Sequence, residues 1–344
     1  MRPNFFQHIH PPTIPAEQAR WRYTLGAGGT AVFLVLVLVF SGMLEMFFYI
    51  PSPSEAALSI QTLSYVVPFG GLVRNIHFWA AQLLVVVMTI HLVRVVLTGS
   101  YAPPRRFNYL LGLSLFVIAM LLDFTGYVLR WDTGIQWALV VGTNLLKSIP
   151  WIGDFLYRML VGGSYPGSAT LIRFFSWHVY GLILLAVVLI IWHLFRVRRD
   201  GGIAVPPPKL RTEKRRISRA DLARLEVNAM LLCGSALILF SAVFPAPIAP
   251  AITEVTALSG EASAPWFFLW IQQMLKWGNP FLWGVLVPLL ILAVIALIPF
   301  VFPQTTPQDL GRWLPPSNRL AQVVMAGIVL LILLLTLLGL RPIS

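Results

Sequence analysis

Charge is scarce in this chain, and acidic charge scarcest: of 344 residues only 11% are charged, 25 Lys or Arg against 13 Asp or Glu. Cysteine is nearly absent. Cys233 stands alone within an apolar run, which excludes disulfides, iron–sulfur ligation and CxxCH haem attachment within the chain. The first residues, MRPNFFQHIHPPTIPAEQARWRY, lack an apolar core, so no cleaved targeting peptide is expected. What is plentiful is hydrocarbon: 58% of residues are hydrophobic and the mean hydropathy is +0.79, far outside the range of soluble domains. The formal net charge of +12 does not point to nucleic acid. Arg and Lys gather in short stretches beside apolar segments, as cytoplasmic loops do, and there is no soluble basic domain.

Seven segments approach the roughly 20 apolar residues that cross a bilayer: 27–48, 76–97, 109–129, 179–195, 227–244, 281–302 and 320–340. The expected fold is all-α and integral to the membrane, a four-helix bundle (1–200) followed by a three-helix module (220–344). A basic, Pro-containing linker, 201–219, separates them. Arg20 and Arg22, then Arg94, Arg105 and Arg106, then the basic run 196–219 fall on one face if every segment crosses. The N-terminus is therefore expected inside and the C-terminus outside. Long connections, 50–74, 130–176 and 245–280, lie opposite. Within the middle one, 137–146 and 152–160 read as short interfacial helices, broken at Ile149-Pro150 because proline disfavours helix at the residue before it.

Four of the six histidines lie inside or at the edge of these segments: His77 and His91 on the second, His178 and His193 on the fourth. A separation of 14 or 15 residues keeps both imidazoles on roughly one helix face, about 21 Å apart. Imidazole is rare in hydrocarbon unless it faces the bundle interior with a partner. Both helices run from the outer face to the inner one, so the pairs match level for level and predict two bis-histidine haems stacked across the membrane. Gly28 and Gly42 on the first segment and Gly112 and Gly126 on the third are also 14 apart, and glycine admits close approach of another group. Arg74, Arg94 and Arg173 lie three to five residues from a histidine and are candidates for the haem propionates, since guanidinium pairs with carboxylate. Snorkelling of arginine at a helix end is the alternative.

RNIHFWAAQLLVVVMTIHLVRVVLTG (74–99), TGYVLRWD (125–132), TNLLKSIPWIG (143–153) and ATLIRFFSWH (169–178) with Trp192-His193 resemble the cytochrome b/b6 family of quinol-oxidising Rieske/cytochrome b complexes. The 15-residue His178–His193 spacing is similar to cytochrome b6, and residues 220–340 look like the subunit IV of b6f complexes fused behind it. The resemblance implies a low-potential b haem on His77 and His178, a high-potential one on His91 and His193, and quinol oxidation at the outer face beside Pro265, Trp266, Phe267 and Phe268. It further implies a Rieske iron–sulfur partner, an outer c-type cytochrome or equivalent, quinone reduction at the inner face, proton translocation and a homodimeric complex.

Three departures stand out. Pro265 occupies the position of the family's acidic residue, so another carboxylate, Asp123, Glu254 or Glu261, would have to accept the quinol proton. Asp123 stands out because it lies within the third segment near its outer end and a charge in a membrane helix is functional by default, the alternative being a side chain that reaches interfacial water. Arg130 replaces a proline. Gly26 stands near the family's haem-attaching cysteine, so no covalent haem is expected. A non-bifurcating di-haem conduit or anchor, passing electrons between the quinone pool and another redox module, is the competing reading.

Overall fold

The computed structural model describes residues 11–211, 213–252 and 264–340. Seven helices among them are long and apolar enough to span a membrane: α1 (Ala27–Met46), α3 (Gly70–Leu97), α4 (Arg106–Leu129), α7 (Ser168–Arg199), α8 (Arg219–Val243), α10 (Phe281–Val301) and α11 (Pro316–Gly339). At about 1.5 Å per residue, the 20 residues of α1 reach about 30 Å, the thickness of the hydrocarbon core. Leu36, Phe40, Leu185, Leu232, Leu289 and Val323 are exposed along them. That outward apolar surface suits lipid, where the backbone groups are satisfied within each helix.

Four shorter helices occupy the connections: α2 (Ala56–Tyr65), α5 (Gln136–Lys147), α6 (Gly153–Val161) and α9 (Leu269–Leu275). α5 and α6 confirm the expected pair on either side of Ile149-Pro150; α2 and α9 carried too short a pattern to be read from sequence. Several spanning helices begin earlier than their hydrophobic cores, α8 at Arg219 among them. α3 starts at Gly70 and α7 at Ser168. The first turns of α7 are amphipathic, burying Thr170, Leu171 and Phe174, and hydropathy alone reads such turns as loop. Gly162 ends α6 with φ +84°, the left-handed stop that glycine takes without strain. Ser218 caps α8 by accepting from the Asp221 backbone N–H at 3.0 Å, which satisfies one of the donors left free at a helix start.

α1 lies along α3, α4 lies along α7, and α3 contacts α4. α8 packs on α3 and α1, α10 on α4, and α11 on α9 and α3. One core cluster, with Val128, Trp131, Leu139 and Phe174 at its centre, closes the His77 end of the four-helix group. Another, built on Val96, Tyr101, Tyr109, Ile298 and Met325, joins α3 and α4 to the last two helices. Its buried polar atoms are paired: Tyr101 Oη donates to Asn318 Oδ1 (2.6 Å), Asn318 Nδ2 to the Val96 carbonyl (2.8 Å) and Tyr109 Oη to the Ile295 carbonyl (2.8 Å). A two-stranded antiparallel ribbon, β1 (Thr13–Pro15) with β2 (Arg216–Ser218), ties the N-terminal segment to the start of α8. No sequence pattern announced it.

Candidate functional site

Between α1, α3, α4 and α7 runs a cavity of about 1740 Å³, larger than the roughly 300–1,000 Å³ of a single small-molecule site. All four histidines and Gly28, Gly42, Gly112 and Gly126 line it. At one level His77 of α3 faces His178 of α7, ring centres 6.5 Å apart and ring planes at 67°. An imidazole nitrogen bonds a metal at about 2.0 Å and lies about 1.1 Å from its ring centre, so two rings sharing one ion stand roughly 6 Å apart. The observed separation is of that size.

The other ring nitrogens show which atoms are free. Ser41 Oγ donates to the Val37 carbonyl (2.8 Å) and lies 2.9 Å from His77 Nδ1. Thr125 Oγ1 likewise donates to the Leu121 carbonyl (2.8 Å) and lies 3.0 Å from His178 Nδ1. Each hydroxyl proton is committed to its own helix, so the oxygen accepts and Nδ1 carries the ring proton. His193 Nδ1 faces the Asn108 carbonyl at 3.2 Å, which can only accept. In all three rings the lone pair is thereby left on Nε2, the tautomer a metal requires. His91 Nδ1 has no partner among the described residues. Ser41 and Thr125 escaped the sequence reading, although each immediately precedes one of the spaced glycines.

The glycine spacing follows from the same geometry. A Cβ built on Gly28, Gly42, Gly112 or Gly126 would meet Cε1 of His91, His77, His193 or His178 at 3.2, 3.0, 3.2 and 2.7 Å respectively. The group that each glycine admits is an imidazole edge, so the glycine spacing mirrors the histidine spacing across the helix pair.

The histidine spacings differ by one residue, 14 on α3 against 15 on α7, and in an unbroken helix that residue is worth about 100° of rotation. Residues Trp177–Gly181 form a π-helical turn containing His178. A π-bulge inserts one residue into an α-helix. It absorbs the extra residue and returns His193 to the same face as His178.

No cluster of three or more His, Cys, Asp or Glu side chains that could hold a bare metal occurs among the described residues. Two imidazoles per level therefore suit an ion that brings its remaining ligands with it, as iron in a porphyrin does. Arg94 fits the acidic substituents of such a group. Its Nε donates to the Tyr23 carbonyl (2.9 Å) and its guanidinium lies over the Tyr23 ring at 4.3 Å, while Nη2 is buried and, among the described residues, unpartnered on the cavity. Arg74 also lines the cavity, but Nη1 and Nη2 hold the Ala246 and Pro247 carbonyls at 3.1 and 2.5 Å. Arg173 is not brought to the cavity. Its Nη1 lies over Gly162 and 3.5 Å from the Arg158 carbonyl, because the amphipathic start of α7 turns that position toward α6.

At the His77 end the chain from 245 to 252 folds over the corner after α4. Arg130 Nη2 pairs with Asp132 Oδ2 at 2.7 Å, with side chains 12% and 5% exposed; the same oxygen accepts from the Ala249 N–H at 3.3 Å. Thr133 N donates to the Pro250 carbonyl (2.8 Å). Arg130, the departure from proline, is thus the cation of a buried clamp. Tyr49 Oη donates to the Leu129 carbonyl (2.8 Å), and burial pushes its phenol above the ordinary range, which keeps that donor protonated.

Pro265, Trp266 and Phe267 line the cavity, and Phe268 meets Phe124 edge to face with ring centres 5.9 Å apart. Trp266 Nε1 donates to Gln82 Oε1 (2.6 Å), and Gln82 Nε2 to Asp123 Oδ1 (3.1 Å). Among the described residues Asp123 Oδ2 is buried without a partner. Glu45, unremarked in the sequence, also lines the cavity, its Oε1 buried and unpartnered among the described residues. Glu254 and Glu261 lie outside the described residues.

Residues 82–254 match the family model described as cytochrome b (N-terminal)/b6/petB. Cytochrome b6 of Chlamydomonas reinhardtii is 37% identical over 174 residues, 51% of this chain and 81% of that protein. Cytochrome b6 of Synechococcus sp. (strain CC9902) is 35% identical over 174 residues, 51% of this chain and 80% of that protein. A chain of a solved structure titled "Hyperthermophilic respiratory Complex III" has a TM-score of 0.79 at 21% identity, over 94% of this chain and 85% of that one. That likeness carries the fold beyond the family match, through α10 and α11.

Proposed function

This chain belongs to the cytochrome b/b6 family, and from that premise we propose that it is the di-haem b subunit of a quinol-oxidising electron-transfer complex. The observation that carries the reading is the His77–His178 pair at 6.5 Å, each Nδ1 held by a hydroxyl so that Nε2 is free for iron. His77 and His178 hold one non-covalent b haem, His91 and His193 the other, and Arg94 Nη2 takes a propionate. Bound haem supplies reversible one-electron transfer, and stacking two levels about 21 Å apart along one bundle lets an electron cross the membrane.

The chain's own part is to bind, orient and exclude water. In this reading the N-terminus lies inside and the C-terminus outside, the Pro265–Phe268 turn and the α5–α6 connection frame an outer quinol pocket, and the Arg94 end faces an inner quinone. Helices α8, α10 and α11 act as a subunit IV-like unit behind the linker 201–219. The partners are a Rieske iron–sulfur protein, an outer c-type cytochrome or equivalent, and a second copy of the complex. Protons released outside and taken up inside store the energy of the electron's crossing. Gly26, with φ +62° and packed against the Trp21 ring, has no side chain to which a haem could be attached, so no covalent haem is proposed.

The replacement of the family's acid by Pro265 favours one alternative, a di-haem conduit that serves another redox module without splitting the quinol electrons. A redox-titrated absorption spectrum of the purified complex, with an inventory of its subunits, tests both. Two b-type transitions, a copurifying Rieske protein and quinol turnover support the main reading. Two b-type transitions beside a different redox module support the conduit, and absence of a b-type spectrum overturns both.

A further inference from the structure

Resting on that reading, we propose that Asp123 accepts the quinol proton in the outer pocket, taking over from the acidic residue that Pro265 replaces, and that Gln82 is its positioning residue. The basis is the chain of side chains that runs from the Pro265–Phe268 turn to α4.

Trp266 Nε1 is only a donor, so the Gln82 atom 2.6 Å from it is the amide oxygen. That fixes the Gln82 NH₂ toward Asp123, where it donates to Oδ1 at 3.1 Å. The carboxyl is therefore held by one oxygen and aimed with the other, and among the described residues Oδ2 is buried without a partner on the cavity that Pro265, Trp266 and Phe267 also line. The next residue, Phe124, packs against Phe268, so the α4 backbone at this point lies against the turn itself. What distinguishes this acid from Asp132, whose Oδ1 is also buried without a partner among the described residues, is that Asp123 lines the cavity and Asp132 does not. A half-satisfied carboxyl in a membrane helix is costly and is kept where its proton affinity is used.

The step balances simply. A quinol O–H bond breaks as the Oδ2–H bond forms; the two electrons leave separately, one to the outer one-electron acceptor and one to the haem at the His77/His178 level, and the second proton passes to water. Glu45 also lines the cavity but has no hydrogen bond to Gln82 or Trp266 among the described residues, which is why the assignment falls on Asp123.

The test uses the intact complex carrying Asp123→Asn, Asp123→Glu, Gln82→Leu or Glu45→Gln, with ubiquinol and menaquinol analogues as probes and both haems quantified by their spectra. General-base catalysis is worth roughly 100- to 10,000-fold, so Asp123→Asn is expected to slow quinol oxidation at least about 100-fold with both haems retained. Asp123→Glu is expected to stay within about tenfold of the parent, and Gln82→Leu to lose an intermediate factor. An infrared difference spectrum of quinol oxidation should carry a protonated-carboxyl band that disappears in Asp123→Asn and shifts in Asp123→Glu. Should Asp123→Asn fail to assemble, Gln82→Leu and the Asp123→Glu band decide. Normal turnover in Asp123→Asn, an unmoved band, or slowing in Glu45→Gln alone overturns the proposal and leaves the functional reading standing. A parent complex whose haems titrate but are never reduced by quinol overturns both.

Discussion

Thr125 Oγ1 sits 3.0 Å from His178 Nδ1 while its proton is donated one turn back to the Leu121 carbonyl, and Ser41 repeats the arrangement for His77 on the opposite side. Accepting from Nδ1–H makes each imidazole a stronger donor at Nε2, which favours the oxidised ion. Replacing Thr125 by Val or Ser41 by Ala should raise the potential of the haem held by His77 and His178 and weaken its retention about tenfold or more. The other haem serves as the internal control in the same redox titration.

Removing a ligand outright should be level-specific. His77→Ala and His193→Ala are each expected to leave one haem per chain in a pyridine haemochrome assay and to lower the amount of accumulated protein, because ligand binding and folding are linked. Retention of two haems in either variant would contradict the pairing.

The glycines should rank by their clearance. Gly126→Ala brings a Cβ to 2.7 Å from His178 Cε1, against 3.0 Å at Gly42 and 3.2 Å at Gly28 and Gly112. Overpacking typically costs about 1–3 kcal/mol, so Gly126→Ala should melt lowest and hold the least haem, with Gly28→Ala and Gly112→Ala mildest.

Arg94 and Arg173 should part company. Loss of a positive charge beside a redox centre disfavours its reduced form, so Arg94→Gln should lower the potential of the His91/His193 haem and Arg94→Lys should do so less. Arg173→Gln should leave both potentials in place, since its guanidinium faces Gly162 and the Arg158 carbonyl.

The clamp at the His77 end should matter for stability. Asp132→Ala strips the partner from Arg130 and the acceptor from Ala249 N, and breaking a buried pair costs about 3–5 kcal/mol. A lowered melting temperature and faster proteolysis near residues 245–252 are the expected signs.

How far the chain could be read in advance varies with how local each signal is. Seven spans were legible because a run of hydrocarbon reports on its own helix. The amphipathic start of α7 was not, because Thr170 and Phe174 are buried by elements elsewhere in the chain. The four histidines and their glycines were legible through repeated spacing, but the reason for the glycines, an imidazole edge from a neighbouring helix, was not. Arg173 shows the limit of proximity in sequence. Five residues from His178, it lies more than a helical turn away, and the turn decides which way it points.

By itself, then, the sequence determined the solvent this protein folds in, the number of its spans and the axial register of the imidazoles, since hydropathy and helical periodicity are properties of a single segment. Only the tertiary structure decided which groups meet sideways. Ser41 with His77, Gln82 with Trp266 at 184 residues' separation, Tyr101 with Asn318 at 217, and β1 with β2 are contacts between helices and segments whose relative rotation is set by packing and hydrogen-bond satisfaction across the whole bundle.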